Sequence, residues 1–443
     1  MTKIKIICII ENSISHLNPV FNLFHALLKR GNDLDLYFIS HISFQPSIEE
    51  NGFHFIECKS LNFGLENHEI FCQNYLQKLH FCLNENNFEN RRIDLLEHIE
   101  KIRPDYVFVD SMLWGDQVVL EKIKSAKLDF KIKGIQTLFN ADFSTKNLPL
   151  HSRFVPTSFD LVGRMTITLV WLRYWIIKFV RNTVYQFKFL GYTEFRKIKT
   201  QLKEINKTRK VKLKINKWNS FSPRLSTIET ILLLPKSVEF SSEGSSLIKH
   251  LGYFENPVVE SEQATILLNN SSQYEKVILL SQGTLQRDLN SDLNSFYQKF
   301  LELVKWYPTY YFIASFDQTF LASTDLSAYA NLYATHFLPQ RSLLPQVDLF
   351  ISHGGANSIL ESILAECPIL ITLNNFIFDQ NGNAARIKYH GCGEFVDFNQ
   401  PLNEWTNRMD LLIQQSNSYK IRIQHLKKKI QEEVYDLENL LFA

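Results

Sequence analysis

The apolar positions of this chain fall into short continuous runs separated by stretches with helical spacing. Ile4 to Ile10 is one such run and predicts a first buried strand. From Pro19 to Lys29, the residues Val20, Leu23, Phe24, Leu27 and Leu28 share one helix face, and Gly31 follows as a stop signal. Asp35 to Ile39 predicts a second strand, Leu95 to Ile102 a helix, Tyr106 to Val109 a third strand and Lys133 to Gln136 another. The rhythm breaks between about 140 and 217, a basic, aromatic and helical stretch that reads as an insertion, and strand character returns at Thr230 to Leu234. It then restarts. Lys276 to Leu280, Tyr310 to Ala314, Ala330 to Phe337, Asp348 to Ile351 and Ile369 to Leu373 read as strands. Leu293 to Lys305 and Ser358 to Ala365 read as helices, and Ser418 to Leu441 as one long charged helix. Strands alternating with helices predict an α/β protein with doubly wound parallel sheets.

Length supports two such units, since 443 residues exceed one ordinary domain. The boundaries expected are 1–250 for the first domain, with the insertion at 140–217, and 251–260 for a Gly- and Pro-bearing linker. The second domain is expected at 261–425, and 426–443 as a C-terminal helix that crosses back to the first domain. An apolar share of 45% and a charged share of 21% suit a folded chain with a sizeable core. The six cysteines, Cys8, Cys58, Cys72, Cys82, Cys367 and Cys392, form no CxxC or Cys/His zinc pattern and read as reduced thiols. The apolar start is only about seven residues long and runs straight into Glu11 and Asn12, so it reads as a strand rather than a signal peptide. The expected setting is the cytoplasm.

The strongest chemical signal is HGGANSILE, His353 to Glu361, which follows the apolar LFIS and opens a helix. Gly354 and Gly355 permit a tight turn and close approach of a ligand. The helix start supplies unpaired N–H groups and partial positive charge, which suits a diphosphate. Glu361, one turn on, is placed to accept hydrogen bonds from a ribose diol. Upstream lies FLPQ, Phe337 to Gln340; downstream lie Pro368, DQNGNA from Asp379 and GCG ending at Gly393.

This order and spacing resemble the nucleotide signature of the family-1 UDP-glycosyltransferases, which include macrolide, carotenoid and plant natural-product glucosyltransferases. The resemblance implies the GT-B architecture, two Rossmann-like doubly wound domains facing across a cleft. It implies that Phe337 stacks on uracil and Gln340 contacts uracil or ribose. His353 and the backbone at Gly355, Asn357 and Ser358 would hold the diphosphate, and Glu361 the ribose. Asp379 and Gln380 would bind the sugar hydroxyls, and the Gln is similar to relatives that use UDP-glucose. The turn SQGT resembles a second family element, which places Ser281, Gly283 and Thr284 near the β-phosphate. No cofactor or metal is expected.

SHLNP, Ser15 to Pro19, resembles the family segment whose His is the catalytic base. His16 has an unperturbed pKa near 6.5, suited to accepting a proton from an acceptor hydroxyl. Asp110, at the end of PDYVFVD, would orient it. Two positions depart from the family. Glu366 stands where a helix-ending Gly is usual, and Ser15 where a Gly precedes the His.

The acceptor is expected to be a lipophilic or aromatic hydroxylated small molecule; nucleic acid is not expected as a partner. Met165 to Val180 is apolar and aromatic but interrupted by Arg173 and Lys178, too short and too charged to span a bilayer. It reads first as a core-facing helix beside an aromatic acceptor pocket. The other reading is peripheral contact with the inner face of a membrane through 164–189. Between Arg164 and Lys217 lie 15 Lys/Arg against 2 Asp/Glu, a local net of +13 in a chain of net +2. Three other functions share these features: a nucleotide-sugar epimerase, a non-catalytic UDP-sugar binder and a membrane-surface lipid glycosyltransferase.

Overall fold

The computed structural model describes residues 3–63, 74–84, 86–124, 128–241, 248–254, 261–283, 293–373 and 379–442. In chain order its strands are β1 (Ile4–Ile9), β2 (Leu34–Ser40), β3 (His54–Glu57), β4 (Tyr106–Asp110) and β5 (Lys131–Gln136). A short antiparallel pair follows, β6 (Ile215–Asn216) and β7 (Arg224–Leu225), then β8 (Thr230–Leu232) and β9 (Ile248–His250). The second set is β10 (Lys276–Ser281), β11 (Tyr310–Ser315), β12 (Leu332–Thr335), β13 (Leu349–Ser352), β14 (Ile369–Leu373) and β15 (Gly393–Asp397).

Two parallel sheets result, ordered β3-β2-β1-β4-β5-β8-β9 and β12-β11-β10-β13-β14-β15. Their central strands are apolar on both faces because helices cover both sides. Thus Ile6, Cys8 and Phe108 pack with Leu17, Val20 and Phe24 on one side of the first sheet. Ile7, Ile9 and Val107 pack with Leu95, Val118 and Val119 on the other. In each sheet the chain winds outward from its first strand and then returns to that strand's free side. This puts a topological switch point between β1 and β4, and another between β10 and β13. Crevices for ligands open at the carboxyl ends of strands at such points.

Within 140–217 the chain forms the helix Leu161–Lys188, of 28 residues, and a second helix, Glu194–Thr208. The second buries Ile198, Leu202 and Ile205 in the same core as Val107 and Val119, so this part of the expected insertion is a layer of the first unit. The expected single helix from Ser418 to Leu441 is two helices, Ser416–Glu432 and Leu437–Phe442. The first packs on the second sheet through Ile423 and Leu426. The last turn buries Leu437 and Leu441 beside β1 and β2, and the Tyr106 hydroxyl donates to the Phe442 carbonyl at 2.7 Å. Within the linker, 255–260 lies outside the described residues.

The two halves share a core. Phe139, Leu150, Leu232 and Leu234 belong to the cluster that contains Leu279, Ile359 and Ile371. Arg386, fully buried on the helix Gln380–Tyr389, reaches Glu239 of the first half. Its Nε and Nη2 donate to one Glu239 oxygen at 2.9 and 2.7 Å, and its guanidinium lies 4.8 Å from the ring centres of Phe139 and Phe240. On the same helix, Gly382 N–H donates to the Leu150 carbonyl at 2.8 Å. A methyl at Gly382 would overlap that carbonyl, which explains the glycine inside DQNGNA.

Glu366 ends the helix Ala356–Leu364 with φ of +59°, the left-handed conformation that glycine adopts at least cost. Its carboxylate compensates by accepting from Lys427 Nζ and Gln424 Nε2, each at 2.7 Å, on the helix Ser416–Glu432. Glu366→Ala and Glu366→Gly both remove those contacts, but only Gly relieves the backbone. Denaturant unfolding should therefore place the Gly variant about 1 kcal/mol above the Ala variant in stability; equal stabilities would refute the strain.

Candidate functional site between the two switch points

The base side forms at the carboxyl ends of β1 and β4. The helix after β1 runs Ile14–Lys29, so Pro19 lies inside it and His16 in its first turn, five residues earlier than the apolar spacing suggests. Asp110, wholly buried, accepts from His16 Nδ1 at 2.7 Å. The carboxylate is itself fixed, since its other oxygen accepts from Met112 N–H at 2.9 Å. Thr137 Oγ1 lies 2.9 Å from the same ring nitrogen. With Nδ1–H directed at Asp110, the lone pair falls on Nε2, the nitrogen a base must present. Burial pulls the His16 pKa down, but the carboxylates of Asp110, Glu11 and Asp379 outweigh it, and the net shift is upward from 6.5. Glu11 and Thr137 carry no motif. Glu11 is marked only by being a carboxylate directly after a buried strand, and Thr137 comes near His16 only through the pairing of β4 with β5.

The phosphate side forms at β10 and β13, where Ser281 and Ser352 pair in register. The SQGT and HGG turns therefore lie side by side. His353 sits between glycines: a methyl at Gly355 would come within 2.6 Å of its Nε2, and one at Gly283 would overlap its Cε1. Burial pushes the His353 pKa down to about 4, so the ring is neutral near pH 7, and its Nδ1 has no partner among the described residues. Gly355 caps the helix Ala356–Leu364, whose first-turn N–H groups at Ala356, Asn357 and Ser358 have no intrahelical acceptor. Thr284 and Phe378 lie outside the described residues.

A bond joins the two sides. Pro19 has no N–H, so the Ser15 carbonyl, four residues earlier, lacks its helical donor. Asn357 Nδ2 supplies one at 3.0 Å from the other half. Next to it lies a cavity of about 190 Å³ between Asn18, Phe21, Asn22 and Asn51 on one side and Arg341, Asn357 and Glu361 on the other. The three asparagines of the first half had no signal in the sequence. Gln340 is turned toward Glu361, its Nε2 donating to the carboxylate at 2.6 Å, so the two expected nucleoside residues hold each other. Phe337 is 73% exposed, its ring open to a stacking partner. Asp379 and Gln380 are buried at the start of the helix that carries Arg386. Burial raises the Asp379 pKa, while its oxygen accepts from Asn383 at 2.7 Å. Among the described residues no cluster of His, Cys, Asp and Glu forms a metal site.

Residues 312–432 match the family described as UDP-glucoronosyl and UDP-glucosyl transferase. The chain is 32% identical over 171 residues to ugt-47 of Caenorhabditis elegans, covering 38% of this chain and 31% of that protein. It is 37% identical over 70 residues to the zeaxanthin glucosyltransferase of Pantoea ananas, 16% of each chain. These alignments span well under two thirds of the relatives' length. Solved structures extend the likeness in fold to nearly the whole chain. The glycotransferase of kitacinnamycin superposes with a TM-score of 0.63 at 15% identity, over 97% of this chain and 96% of that one. The glycosyltransferase SnogD from Streptomyces nogalater gives 0.56 at 14%, over 99% and 98%. The chain thus has the GT-B fold along its length, and the segment around the HGG turn matches the UDP-glucoronosyl and UDP-glucosyl transferase family.

Proposed function

We propose that the chain moves a hexose, glucose by preference, from a UDP-sugar to a hydroxyl of a lipophilic small molecule, with inversion at the anomeric carbon. The observation that carries this reading is geometric: Asp110 holds the His16 ring, and Asn357, at the start of the helix Ala356–Leu364, bonds the Ser15 carbonyl next to it. A sugar held by Asp379 and Gln380 would have its reacting carbon beside a base held by Asp110. His16 Nε2 takes the acceptor proton as the acceptor oxygen forms the new C–O bond and the bond to UDP breaks. The departing diphosphate would be stabilised by the N–H groups of the helix Ala356–Leu364 and by His353, an electrostatic role that asks for no divalent ion. Phe337 and Glu361 favour uridine, and Gln380 favours glucose through the family resemblance. The cytoplasm, where UDP-sugars are expected, is the proposed setting.

A panel of UDP- and dTDP-sugars in a thermal-shift assay, followed by acceptor screening, tests the central reading. Stabilisation by uridine nucleotides is expected, and its absence from all of them would overturn it. Turnover of the donor with no acceptor consumed would favour an epimerase.

His16→Ala should lower transfer by about 10²–10⁴-fold, with UDP affinity by calorimetry unchanged. Full activity in that variant would remove His16 as the base. The active form is neutral imidazole, so kcat/KM should rise with pH through a midpoint above 6.5. Glu11→Gln removes a negative neighbour and should move that rise to lower pH; an unmoved profile would exclude Glu11 from tuning the base. Gly355→Ala should displace His353 and weaken UDP binding by roughly 10–100-fold, the loss of about one hydrogen bond to a charged group.

A further inference from the structure

The helix Leu161–Lys188 is apolar on both faces. Its inward face buries Ile167 and Trp171 and also carries hydrogen-bonding groups. Trp171 Nε1 donates to the Asn147 carbonyl at 2.7 Å, the Tyr174 hydroxyl to Ser220 at 2.6 Å and Lys178 Nζ to Asn219 at 2.8 Å. Its outward face is aliphatic and aromatic: Leu161 (76% exposed), Met165 (60%), Leu169 (62%), Ile176 (55%), Phe179 (71%) and Phe187 (79%). These positions recur at helical spacing along a stripe roughly 40 Å long. A continuous apolar surface of that length marks an interaction site. Arg164 and Arg173 flank the stripe, Arg181 and Lys188 are exposed further along the same helix, and the helix has no acidic residue. Lys178, which the sequence groups with this basic border, points inward.

We propose that this face docks on an anionic bilayer, with the helix lying in the interface plane, its stripe among the acyl chains and its cations at the lipid phosphates. Charge selects this occupant. Two copies joined stripe to stripe would form an isologous contact and bring the four outward cations of each helix, Arg164, Arg173, Arg181 and Lys188, toward those of the other. Anionic headgroups neutralise that surface instead. Among the described residues no helix is long and apolar enough to cross a membrane, which fits a helix lying on it. The inward face packs against Ala385 of the helix that begins at Gln380, so a docked molecule holds its site at a fixed height above the lipid. That this height serves an acceptor drawn from the bilayer rests on the proposed transferase reading; the docking itself does not.

Flotation of the full chain with vesicles of phosphatidylcholine, alone or mixed with phosphatidylglycerol, tests the docking. Two variants accompany it: Met165→Ser with Ile176→Ser and Phe187→Ser, and Arg173→Gln with Arg181→Gln. All five side chains are exposed, and UDP binding by calorimetry reports that each variant is folded independently of transfer activity. If UDP does not bind even the unaltered chain, circular dichroism provides that check, and the docking result still stands. The expected result is binding to the mixed vesicles that weakens with salt, falls at least ~10-fold in the Ser variant and falls less in the Gln variant. No flotation with mixed vesicles, or equal flotation of the Ser variant, overturns the proposal. So does a dimer in sedimentation that the Ser substitutions dissociate.

Discussion

The buried contact between Arg386 and Glu239 fixes where everything else in the cleft can be. A guanidinium removed from water must be paired and its remaining donors used, or the ion would not be tolerated there. Glu239 satisfies that demand from the opposite half and also accepts the Asn140 N–H at 2.6 Å, while Phe139 and Phe240 cover the cation's faces. The helix carrying Arg386 begins with Asp379 and Gln380. One ion pair therefore sets the distance between Asp379 and the segment that follows β5. Thr137, at the start of that segment, touches His16. His16 and the helix Gln380–Tyr389 are thus aligned through a short, buried path, with the shared apolar core behind it.

Two histidines of one site are driven in opposite directions by their surroundings. His16 lies among carboxylates and is held ready to carry a positive charge. His353 is wedged between glycines with no carboxylate against it among the described residues, and burial keeps it neutral. In the proposed transfer, a proton taken from an acceptor would be welcome at the first position. An incoming diphosphate would meet a compact, uncharged ring at the second, beside a helix start that already carries partial positive charge.

Much of this was legible because central parallel strands are buried on both faces and stand out as apolar runs. That is why β1, β4, β10, β13 and β14 could be placed to within about a residue or two. The half-exposed edge strand β3 and the three-residue β9 present neither a run nor an alternation, and they were missed. The phosphate turn was legible because glycines at fixed spacing report a backbone demand. The asparagines around the cavity, Glu11 and Thr137 were not, since their roles arise only when separate strands are brought together. Periodicity showed that 165–180 is two-faced, but spacing carries no sign. Which face turns inward is set by tertiary packing: Ile167 and Trp171 are buried against Leu148, Phe240 and Ala385, and Asn147, Asn219 and Ser220 present carbonyls to the same face. The break between Ser416–Glu432 and Leu437–Phe442 was hidden for a similar reason. Glu433 leaves the helix to accept the N–H groups of Lys236 and Ser237, a partner almost two hundred residues away in sequence.

The proline in the base-bearing helix has one further consequence. By withholding an N–H, Pro19 leaves the Ser15 carbonyl with no partner of its own, and Asn357 takes it only while the halves are close. Water could replace that amide at a net cost of only about 1 kcal/mol. An oxygen that is satisfied either way ties the helix Ala356–Leu364 to the helix that carries His16 only weakly, and the strength of the junction lies instead in the shared core and the Arg386–Glu239 pair.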